Sequence, residues 1–588
     1  MEAWFITLVS FCVCFLIRAI FSLHSSPTKA SGKAIITTPP GPSHISIITR
    51  LLWLRKSFTE LEPTLRTFHA KYGPIITLRI GASPAIFIAD GALAHRALVH
   101  NGSLFSDRPE APATAAILSS NRRNISSASY GATWRTLRRN LASEMLHHSR
   151  VRSFSGIRKC VLNSLLTRLK SASESIHSVR VIDHLRHAMF CLLVFMCFGE
   201  RLDEGKVRDI ARVERQLLLR LGSFNILNFW PSVTRVLYRK KWLEMLRLRK
   251  EQEDVLLPLI RARKQKQKQA KESGLNDDHD DVVSYVDTLL DLQLPEEKRE
   301  LNEGELVTLC NEFLNAGTDT TSTALQWIMA NLVKYPHVQE RVVEEIKQVV
   351  GEKKEREVKE EELHKLGYLK AVVLEGLRRH PPGHFVLPHA VTEDVVLKDY
   401  LVPKNGTVNF MVAEMGLDPK VWEDPLAFKP ERFLNDEGFD ITGTKEIKMM
   451  PFGAGRRICP GYNLALLHLE YFVANLVLNF EWKVPQGGDV DLSEKKEFTV
   501  VMKNALQTFR IGQNGPYRVR NGPFRTPKSR TKTTPRTTHS EIRTARSGTH
   551  PERPVLPSER PVLPPERPVL LSRTARSPSG TARSPSFL

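Results

Sequence analysis

Apolar residues recur at helical spacing from Val151 to Ile260, and few helix breakers interrupt them. This spacing predicts several packed helices. Two β-branched runs, Ile75–Ile80 and Ala85–Ala89, flank a short turn and predict a hairpin of a small sheet. The run Arg261–Lys271 and the acidic run Asn276–Asp281 that follows it are strongly charged and predict a solvated surface connector. The pattern by itself indicates a large, helix-rich α+β domain.

A long helix is predicted to start after Asn302 and to end before Pro336. Asn302 and Glu305 have the spacing of an N-terminal capping box, and apolar residues mark one face of the helix. Its middle opposes helix propensity, because Gly317 costs about 1 kcal/mol relative to alanine and six weak helix formers follow it. Broken local rules inside a long helix indicate a functional site.

Two side chains in that stretch can carry protons. Asp319 offers an acid and Thr320 an alcohol, and both can pass protons through water. The alternative is a core helix whose threonines bond back to the carbonyls four residues earlier.

A single thiol, Cys459, stands in a glycine-relieved turn just before a helix predicted over Asn463–Phe480. Such a turn can hold a thiolate against an iron. Gly455 and Gly461 remove the Cβ atoms that would keep a flat macrocycle from the backbone. The N-terminal amides and the dipole of the predicted helix that follows favour the thiolate form of Cys459. The alternative is a buried free cysteine beside a turn.

The haem-ligand loop of the cytochromes P450 is similar to this turn at five positions: Phe452, Gly455, Arg457, Cys459 and Gly461. The residues from Met450 to Trp482 resemble plant microsomal A-type members, and the likeness extends from the N-terminus to about Ile511. It implies a mainly α (α+β) cytochrome P450 fold, a helical prism of about a dozen helices with small β-sheets. It also implies haem b, with Cys459 as the axial ligand of the iron.

The long helix resembles the family in its oxygen-activation motif, Ala316–Thr321. The resemblance implies that Gly317 leaves room over the distal face of the iron. It also implies that Asp319 and Thr320 are the catalytic residues that deliver protons to reduced dioxygen.

Further resemblances concern the haem propionates. Trp134 and Arg138 are similar to a tryptophan and an arginine that meet a propionate in the family, and Arg457 and His389 match positions with the same task. Cations suit carboxylates, and arginine gives bidentate geometry. For His389 the alternative is a satisfied surface histidine.

A charged pair also has a counterpart in the family. Glu375 and Arg378 stand at i and i+3 on a predicted helix, and Arg432 follows at the family's distance. The resemblance implies a buried structural triad behind the haem, needed for haem incorporation more than for turnover.

Composition limits the environment and the partners. Seven cysteines show no disulfide or zinc spacing, which fits a reducing compartment. The formal charge is +21, but residues 513–588 hold 15 Lys/Arg and four Asp/Glu and so account for +11 of it. Nucleic acid is therefore not expected as a partner.

Four segments are predicted along the chain. Residues 1–24 form a transmembrane anchor, because Ala3–Leu23 is apolar except for Arg18 and is long enough to span a bilayer; a cleavable signal peptide is the alternative. Residues 25–45 are a linker with a proline-rich hinge, residues 46–512 the catalytic domain, and residues 513–588 a disordered repetitive tail. Family members normally end near Ile511, so the tail is either an unusual extension or a mispredicted reading frame.

Cations after the anchor place the body in the cytosol by the positive-inside rule, and we expect a single-pass protein of the endoplasmic reticulum membrane, in contact with membrane lipid. Basic residues near Trp134 and at Arg456 suit an acidic redox partner, which the resemblance identifies as an NADPH-cytochrome P450 reductase. The chain has no dinucleotide fingerprint with which to bind NADPH itself.

The expected function is a haem-thiolate monooxygenase that inserts one atom of O2 into a small, mostly apolar organic substrate. One alternative is a haem-thiolate isomerase or dehydratase that needs no reductase. Another is a non-enzymatic haem protein with an interaction tail. The pocket is predicted to be lined by His100–Gly131, Leu217–Phe229 and Pro382–Pro388, which leaves fatty acids, phenolics, terpenoids and tetrapyrrole breakdown products all open.

Overall fold

The computed structural model describes residues 37–42, 58–79, 84–175, 179–273, 282–351, 357–434, 438–484 and 488–508, together with Cys12 and Phe15. Internal contacts divide the chain into two units, Met1–Tyr517 and Arg518–Leu588. The rest of the predicted anchor, the linker before residue 37, the turn at 80–83 and the predicted tail at 513–588 lie outside the described residues.

Helices dominate the described part of the chain. Its α-helices are α1 Phe58–Tyr72, α2 Gly91–His95, α3 Pro112–Leu118, α4 Ala132–Asn140, α5 His148–Ser153, α6 Ser155–Ser175, α7 Val181–Phe198, α8 Glu204–Arg220, α9 Pro231–Leu237, α10 Arg239–Ser273, α11 Tyr285–Leu290, α12 Glu303–Lys334, α13 Pro336–Val350, α14 Gly367–Arg379, α15 Val412–Gly416 and α16 Tyr462–Asn479. Short π-helical turns span Arg96–His100 and Leu141–Met145, and 3₁₀ turns span Leu221–Asn228, Glu360–Lys365, Pro430–Phe433 and Gly455–Arg457.

The strands form small sheets. They are β1 Ile75–Arg79, β2 Pro84–Ile88, β3 Val179–Arg180, β4 Gln293–Leu294, β5 Arg299–Glu300, β6 His389–Ala390, β7 Val395–Leu397, β8 Tyr400–Val402, β9 Thr407–Phe410, β10 Glu494–Lys496, β11 Val500–Met502 and β12 Gln507–Thr508. One sheet has the order β1-β2-β9-β6, and β10–β11, β12–β3, β4–β5 and β7–β8 pair separately. The predicted β1–β2 pairing is confirmed as antiparallel, with Ile75 opposite Ile88. The predicted mainly α (α+β) class is confirmed as well.

Helix α12 lies at the centre of the core. It begins with the predicted capping box, in which Asn302 accepts from the Glu305 N–H and Glu305 accepts from the Asn302 N–H. Most of its residues are buried, and it packs against α7, α14 and α16. Among the described helices, α7 is long and apolar enough to span a bilayer, but 67% of it is buried inside the protein. We therefore regard α7 as a core helix.

The prediction of a surface connector at Arg261–Lys271 is wrong. These residues continue α10, since arginine, lysine, glutamine and alanine all favour helix. Arg263 donates two hydrogen bonds to Asp287, each 2.7 Å long, and Arg261 pairs with Glu303. Interactions with neighbouring helices thus hold a segment whose charge density suggested a loop.

The proline-rich hinge lies against β1 of the four-stranded sheet and β8 of the β7–β8 pair. The Thr77 N–H of β1 donates to the Pro40 carbonyl at 2.9 Å, and the Leu401 N–H donates to the Thr37 carbonyl at 3.0 Å. A Cβ at Gly41 would lie 2.0 Å from the Thr77 carbonyl oxygen, so only glycine permits this approach.

Candidate functional site

The cysteine turn is closed by its own backbone. The Cys459 N–H donates to the Phe452 carbonyl at 2.8 Å, and helix α16 starts at Tyr462, one residue before the predicted start. Gly455 has φ +69°, and a Cβ there would lie 2.0 Å from the Leu98 carbonyl oxygen. The prediction for this glycine is corrected: it allows contact with the Leu98 segment rather than with a macrocycle. A Cβ at Gly461 would meet nothing within 4 Å, so open space lies beside it.

The Cys459 thiol is partly buried. Burial raises its pKa above the ordinary value, while a hydrogen bond from the Gly461 N–H and the charge of Arg138 act in the opposite direction. The hydrogen bond from the start of α16 therefore favours the thiolate, as expected, but burial outweighs it. A bound iron would supply the missing positive charge.

Two predicted haem residues meet the cysteine turn from α4. Arg138 donates to the Ile458 carbonyl at 2.5 Å, next to Cys459. The Trp134 ring lies under the Arg457 guanidinium, with 4.4 Å between Cζ and the ring centroid. The buried Trp134 Nε1 has no hydrogen-bond partner within the described part of the chain. A buried indole N–H without an acceptor indicates a ligand that would provide one.

Arg457 also anchors the segment that follows α2. Its guanidinium donates to the carbonyls of Ser106, Ile125 and Ala128 at 2.8, 3.1 and 2.7 Å. These bonds use three of its five N–H groups, so others remain to bind a carboxylate.

His389 is buried, and its environment disfavours the protonated, charged form of the ring. Burial, followed by the charge of Arg108, lowers its pKa to about 3. Its Nδ1 lies 2.6 Å from the Phe105 carbonyl and must donate there, which leaves Nε2 without a proton. His389 can therefore donate to a carboxylate only in a doubly protonated form that this environment disfavours. The alternative of a surface histidine is wrong, because its exposure is 3%.

Arg108 is a further cation at this place that the sequence did not reveal. It donates to the carbonyls of Ser126, Leu387 and Pro388, each at 2.9 Å, and burial lowers its pKa to about 9. It lies in the predicted pocket segment His100–Gly131, but no spacing or motif marks it.

On α12, Ala316 is exposed although it lies in the middle of a buried helix, and Thr320 is partly exposed one turn later. The Thr320 hydroxyl donates to the Ala316 carbonyl at 2.6 Å, as the core-helix alternative predicted. The prediction for Gly317 is corrected: a Cβ there would lie 2.7 Å from Leu193 Cδ1, so this glycine allows α7 to approach α12.

Asp319 has a different environment from Thr320. Its carboxylate is 2% exposed; Oδ1 accepts from Arg215 and lies 3.5 Å from Arg186 Nε, and Oδ2 accepts from Thr499 at 2.8 Å. Sequence reasoning missed these three partners, which come from α7, α8 and the β10–β11 turn. The buried Asp319 is thus held by partners on three elements, whereas Thr320 is partly exposed.

Glu312, one turn before Ala316, is another residue that the sequence did not reveal. Its carboxylate accepts from the backbone N–H groups of Ile125 and Ser126 at 2.8 and 2.6 Å. It therefore fixes the loop that Arg457 also holds, and it ties that loop to α12.

The predicted structural triad comes together around Glu375. Arg378 donates to Glu375 through Nε at 2.6 Å and Nη2 at 2.8 Å, and Arg432 Nε lies 3.3 Å from the same carboxylate. Arg378 also donates to the Gly416 and Pro425 carbonyls. Glu375 and Arg378 side chains are both fully buried.

Comparison with known proteins decides the family. The Cytochrome P450 family model matches residues 39–509. This chain belongs to the cytochrome P450 family. It is 53% identical over 480 residues to Cytochrome P450 89A9 of Arabidopsis thaliana, covering 79% of this chain and 92% of the relative. It is 30% identical over 512 residues to strychnine-11-hydroxylase of Strychnos nux-vomica, covering 84% and 96%. The predicted likeness to plant A-type P450 proteins is confirmed.

A solved P450 structure has the same fold. The zebra fish cytochrome P450 with progesterone superposes with a TM-score of 0.62 at 22% identity, covering 77% of this chain and 99% of that one. The predicted cytochrome P450 fold is thereby confirmed, and the chain is a P450 monooxygenase with haem b as cofactor.

The residues of this P450 protein fit haem b. Cys459 provides the soft sulfur ligand; among the residues that the structure describes, none lies close to Gly461 on its Cβ side and none accepts from the Trp134 indole N–H. Arg138 and Arg457 place positive charge beside the same turn. This donor set suits an iron porphyrin with two carboxylates.

Proposed function

We propose that this P450 protein oxygenates a small, mostly apolar organic substrate with electrons from NADPH, delivered by a separate P450 reductase. The observation that carries the proposal is the pairing of two packed helices. Helix α16 follows the Cys459 turn, and α12 carries an exposed Ala316 and a partly exposed Thr320 in its buried middle. When bound, haem b would supply the iron chemistry that puts one atom of dioxygen into the substrate and reduces the other to water.

The side chains divide the remaining tasks. The Cys459 sulfur would bind the haem iron, with Phe452 and Gly461 shaping the turn around it. Trp134, Arg138 and Arg457 would hold the propionates, with Arg108 as a further cation and His389 as their neutral neighbour.

An apolar substrate suits the side chains that stay exposed beside this site. Phe498 is 44% exposed in the β10–β11 turn, next to Thr499, which contacts Asp319. Leu387 is also exposed, and its carbonyl accepts from Arg108. Apolar surface at such positions favours a ligand that removes it from water.

A basic face supports docking of an acidic reductase. Arg135, Arg139 and Arg456 are exposed, and the Arg135 and Arg456 guanidiniums lie over the Tyr130 ring at 5.4 and 5.5 Å. Arg138 of the same helix donates to the Ile458 carbonyl, so this face adjoins the sulfur turn. A negatively charged partner bound here would deliver electrons close to Cys459.

Membrane attachment is supported by an apolar face, defined as Trp230, Val233, Val236 and Leu237. All four side chains are more than half exposed, with Val236 at 75%. The Phe15 ring of the predicted anchor packs edge-on against Trp230, with 5.4 Å between the ring centroids. The apolar face and the anchor would thus enter the same lipid, which agrees with a protein of the endoplasmic reticulum membrane that faces the cytosol.

The experiment that tests the proposal is a metabolite screen with membranes containing this protein. We expect substrate to be consumed only when NADPH and a plant P450 reductase are both present, with an increase of one oxygen atom, or the loss of a group that such an insertion releases. Product mass and NADPH consumption are measured together. Omitting the reductase is the control, and turnover of a hydroperoxide that is equally fast without it would support the isomerase alternative instead.

Thr320→Ala should separate electron use from product formation. Without the hydroxyl, proton delivery to reduced dioxygen loses its nearest alcohol, so we expect a rise of about tenfold in peroxide formed per NADPH, with haem content unchanged. Thr320→Ser retains the hydroxyl and is the matched control. Equal peroxide yields for wild type and Thr320→Ala would remove Thr320 from the mechanism.

A further inference from the structure

The β10–β11 hairpin is firmly attached to the core beside the oxygen motif. The Val500 N–H donates to the Pro382 carbonyl at 2.8 Å, and the buried Trp327 Nε1 of α12 donates to the Val500 carbonyl at 2.8 Å. Within the turn, the Glu497 N–H donates to the Thr499 carbonyl at 3.0 Å. The position of Thr499 relative to α12 is therefore fixed by backbone bonds on either side of it.

The Thr499 hydroxyl contacts two residues of α12. It lies 2.8 Å from Asp319 Oδ2 and 3.0 Å from the Thr323 hydroxyl. A carboxylate only accepts, so the single proton of Thr499 points to Asp319, and Thr323 must donate to Thr499. The three residues are at most 3% exposed. The hydroxyls of Thr323 and Thr499 thus form a buried chain that ends on Asp319, the carboxylate expected from the family resemblance to deliver protons.

The other carboxylate oxygen is held by charge. Asp319 Oδ1 accepts from Arg215 Nη1, while Arg215 Nη2 donates to Glu497 at 2.7 Å. Arg215 is therefore shared between Asp319 and the same hairpin turn that carries Thr499. The turn therefore contacts Asp319 directly through Thr499, and indirectly through Glu497, which binds Arg215.

We propose that Thr499 is a positioning residue for proton delivery: by binding Asp319 Oδ2, it sets the orientation of the carboxylate that Arg215 holds at Oδ1. Two oxygens fixed by partners on different elements leave the carboxylate one orientation, whereas the arginines alone would let Oδ2 turn. This inference rests on the proposed function and names a residue outside the oxygen motif that controls it.

The partition of electrons between peroxide and water tests the proposal without knowledge of the substrate. Peroxide formation consumes one dioxygen, one NADPH and one further proton, and water formation consumes one dioxygen, two NADPH and two further protons. The two routes use the same number of protons per NADPH, but water forms only if further protons reach the dioxygen atoms before peroxide leaves. Poorer proton delivery is therefore expected to shift electrons towards peroxide. Oxygen, NADPH and peroxide are measured for the membrane-bound holoenzyme with a plant P450 reductase and no added substrate.

Thr499→Val keeps the shape of the side chain and removes the donor. We expect the ratio of peroxide to water to rise roughly tenfold or more, the effect of losing one hydrogen bond to a charged group. Thr499→Ser should restore the wild-type ratio. Ser493→Ala, a hydroxyl deletion at the start of the same hairpin whose side chain bonds Asp491, should leave it unchanged.

A double-mutant cycle shows whether Thr499 acts through Asp319. Asp319→Ala removes the acceptor. In that background we expect Thr499→Val to have a smaller effect than it has alone, both on the partition and on the thermal unfolding midpoint measured by circular dichroism. The positioning role would be overturned if Thr499→Val had equal effects in both backgrounds, or if its peroxide-to-water ratio equalled that of the wild type. Neither result would affect the role of Thr320 or the dependence on the reductase. Wild-type protein that consumes no NADPH with reductase would overturn the proposed function itself.

Discussion

Cys459→Ser is expected to abolish the absorption band that a reduced, carbon monoxide-bound haem-thiolate protein gives. The serine hydroxyl is a hard oxygen donor that stays protonated, so it cannot replace a thiolate as the axial ligand of the iron. Turnover with NADPH and reductase should fall at least about a thousandfold. The spectrum and the turnover are measured on the same membranes, after immunodetection shows equal amounts of protein.

The matched control is Cys160→Ser. Cys160 is also only partly buried, but it lies on α6 rather than in the turn before α16. We expect its removal to leave spectrum and turnover unchanged. A Cys459→Ser protein that retained the thiolate band would show that another residue binds the iron.

Glu375→Ala should destabilise the fold by about 3–5 kcal/mol, because it leaves the Arg378 charge buried and without its partner. Arg378 is fully buried, and its Nε and Nη2 both depend on Glu375. We expect little haem-loaded protein from the variant and an unfolding midpoint well below that of the wild type. The measurements are haem per polypeptide and denaturant unfolding of the fraction that folds.

A neighbouring charge provides the comparison. Lys429 donates to Glu375 through its backbone N–H at 2.8 Å, while its exposed ammonium pairs with Asp424. Lys429→Ala therefore keeps the bond to Glu375 and should cost less than about 1 kcal/mol. If Glu375→Ala took up haem at the wild-type level, the proposed structural role of the triad would be refuted.

Signals that span a few residues were enough to predict part of the site. The capping box at Asn302, the glycine-relieved turn at Cys459 and the charged pair at Glu375 each involve residues close in sequence, so local rules apply to them. The structure has all three features where they were predicted.

Contacts between distant segments could not be predicted in this way. Arg215 and Thr499 lie 104 and 180 positions from Asp319, and nothing in their own neighbourhoods marks them as its partners. The reason for Gly317 could not be predicted from the sequence either. Its low helix propensity marks it as unusual inside a helix, but only the close approach of Leu193 explains why glycine is needed there. Such partners follow from helix packing, which a single sequence does not specify.

The carbonyls of Thr37 and Pro40 accept hydrogen bonds from β8 and β1, and these two bonds matter for the design of a shortened, membrane-free form. A truncation that begins at residue 46 would remove both acceptors and expose the N–H groups of Thr77 and Leu401 to solvent. A truncation that begins just before Thr37 retains both hydrogen bonds and should yield more stable protein for crystallisation.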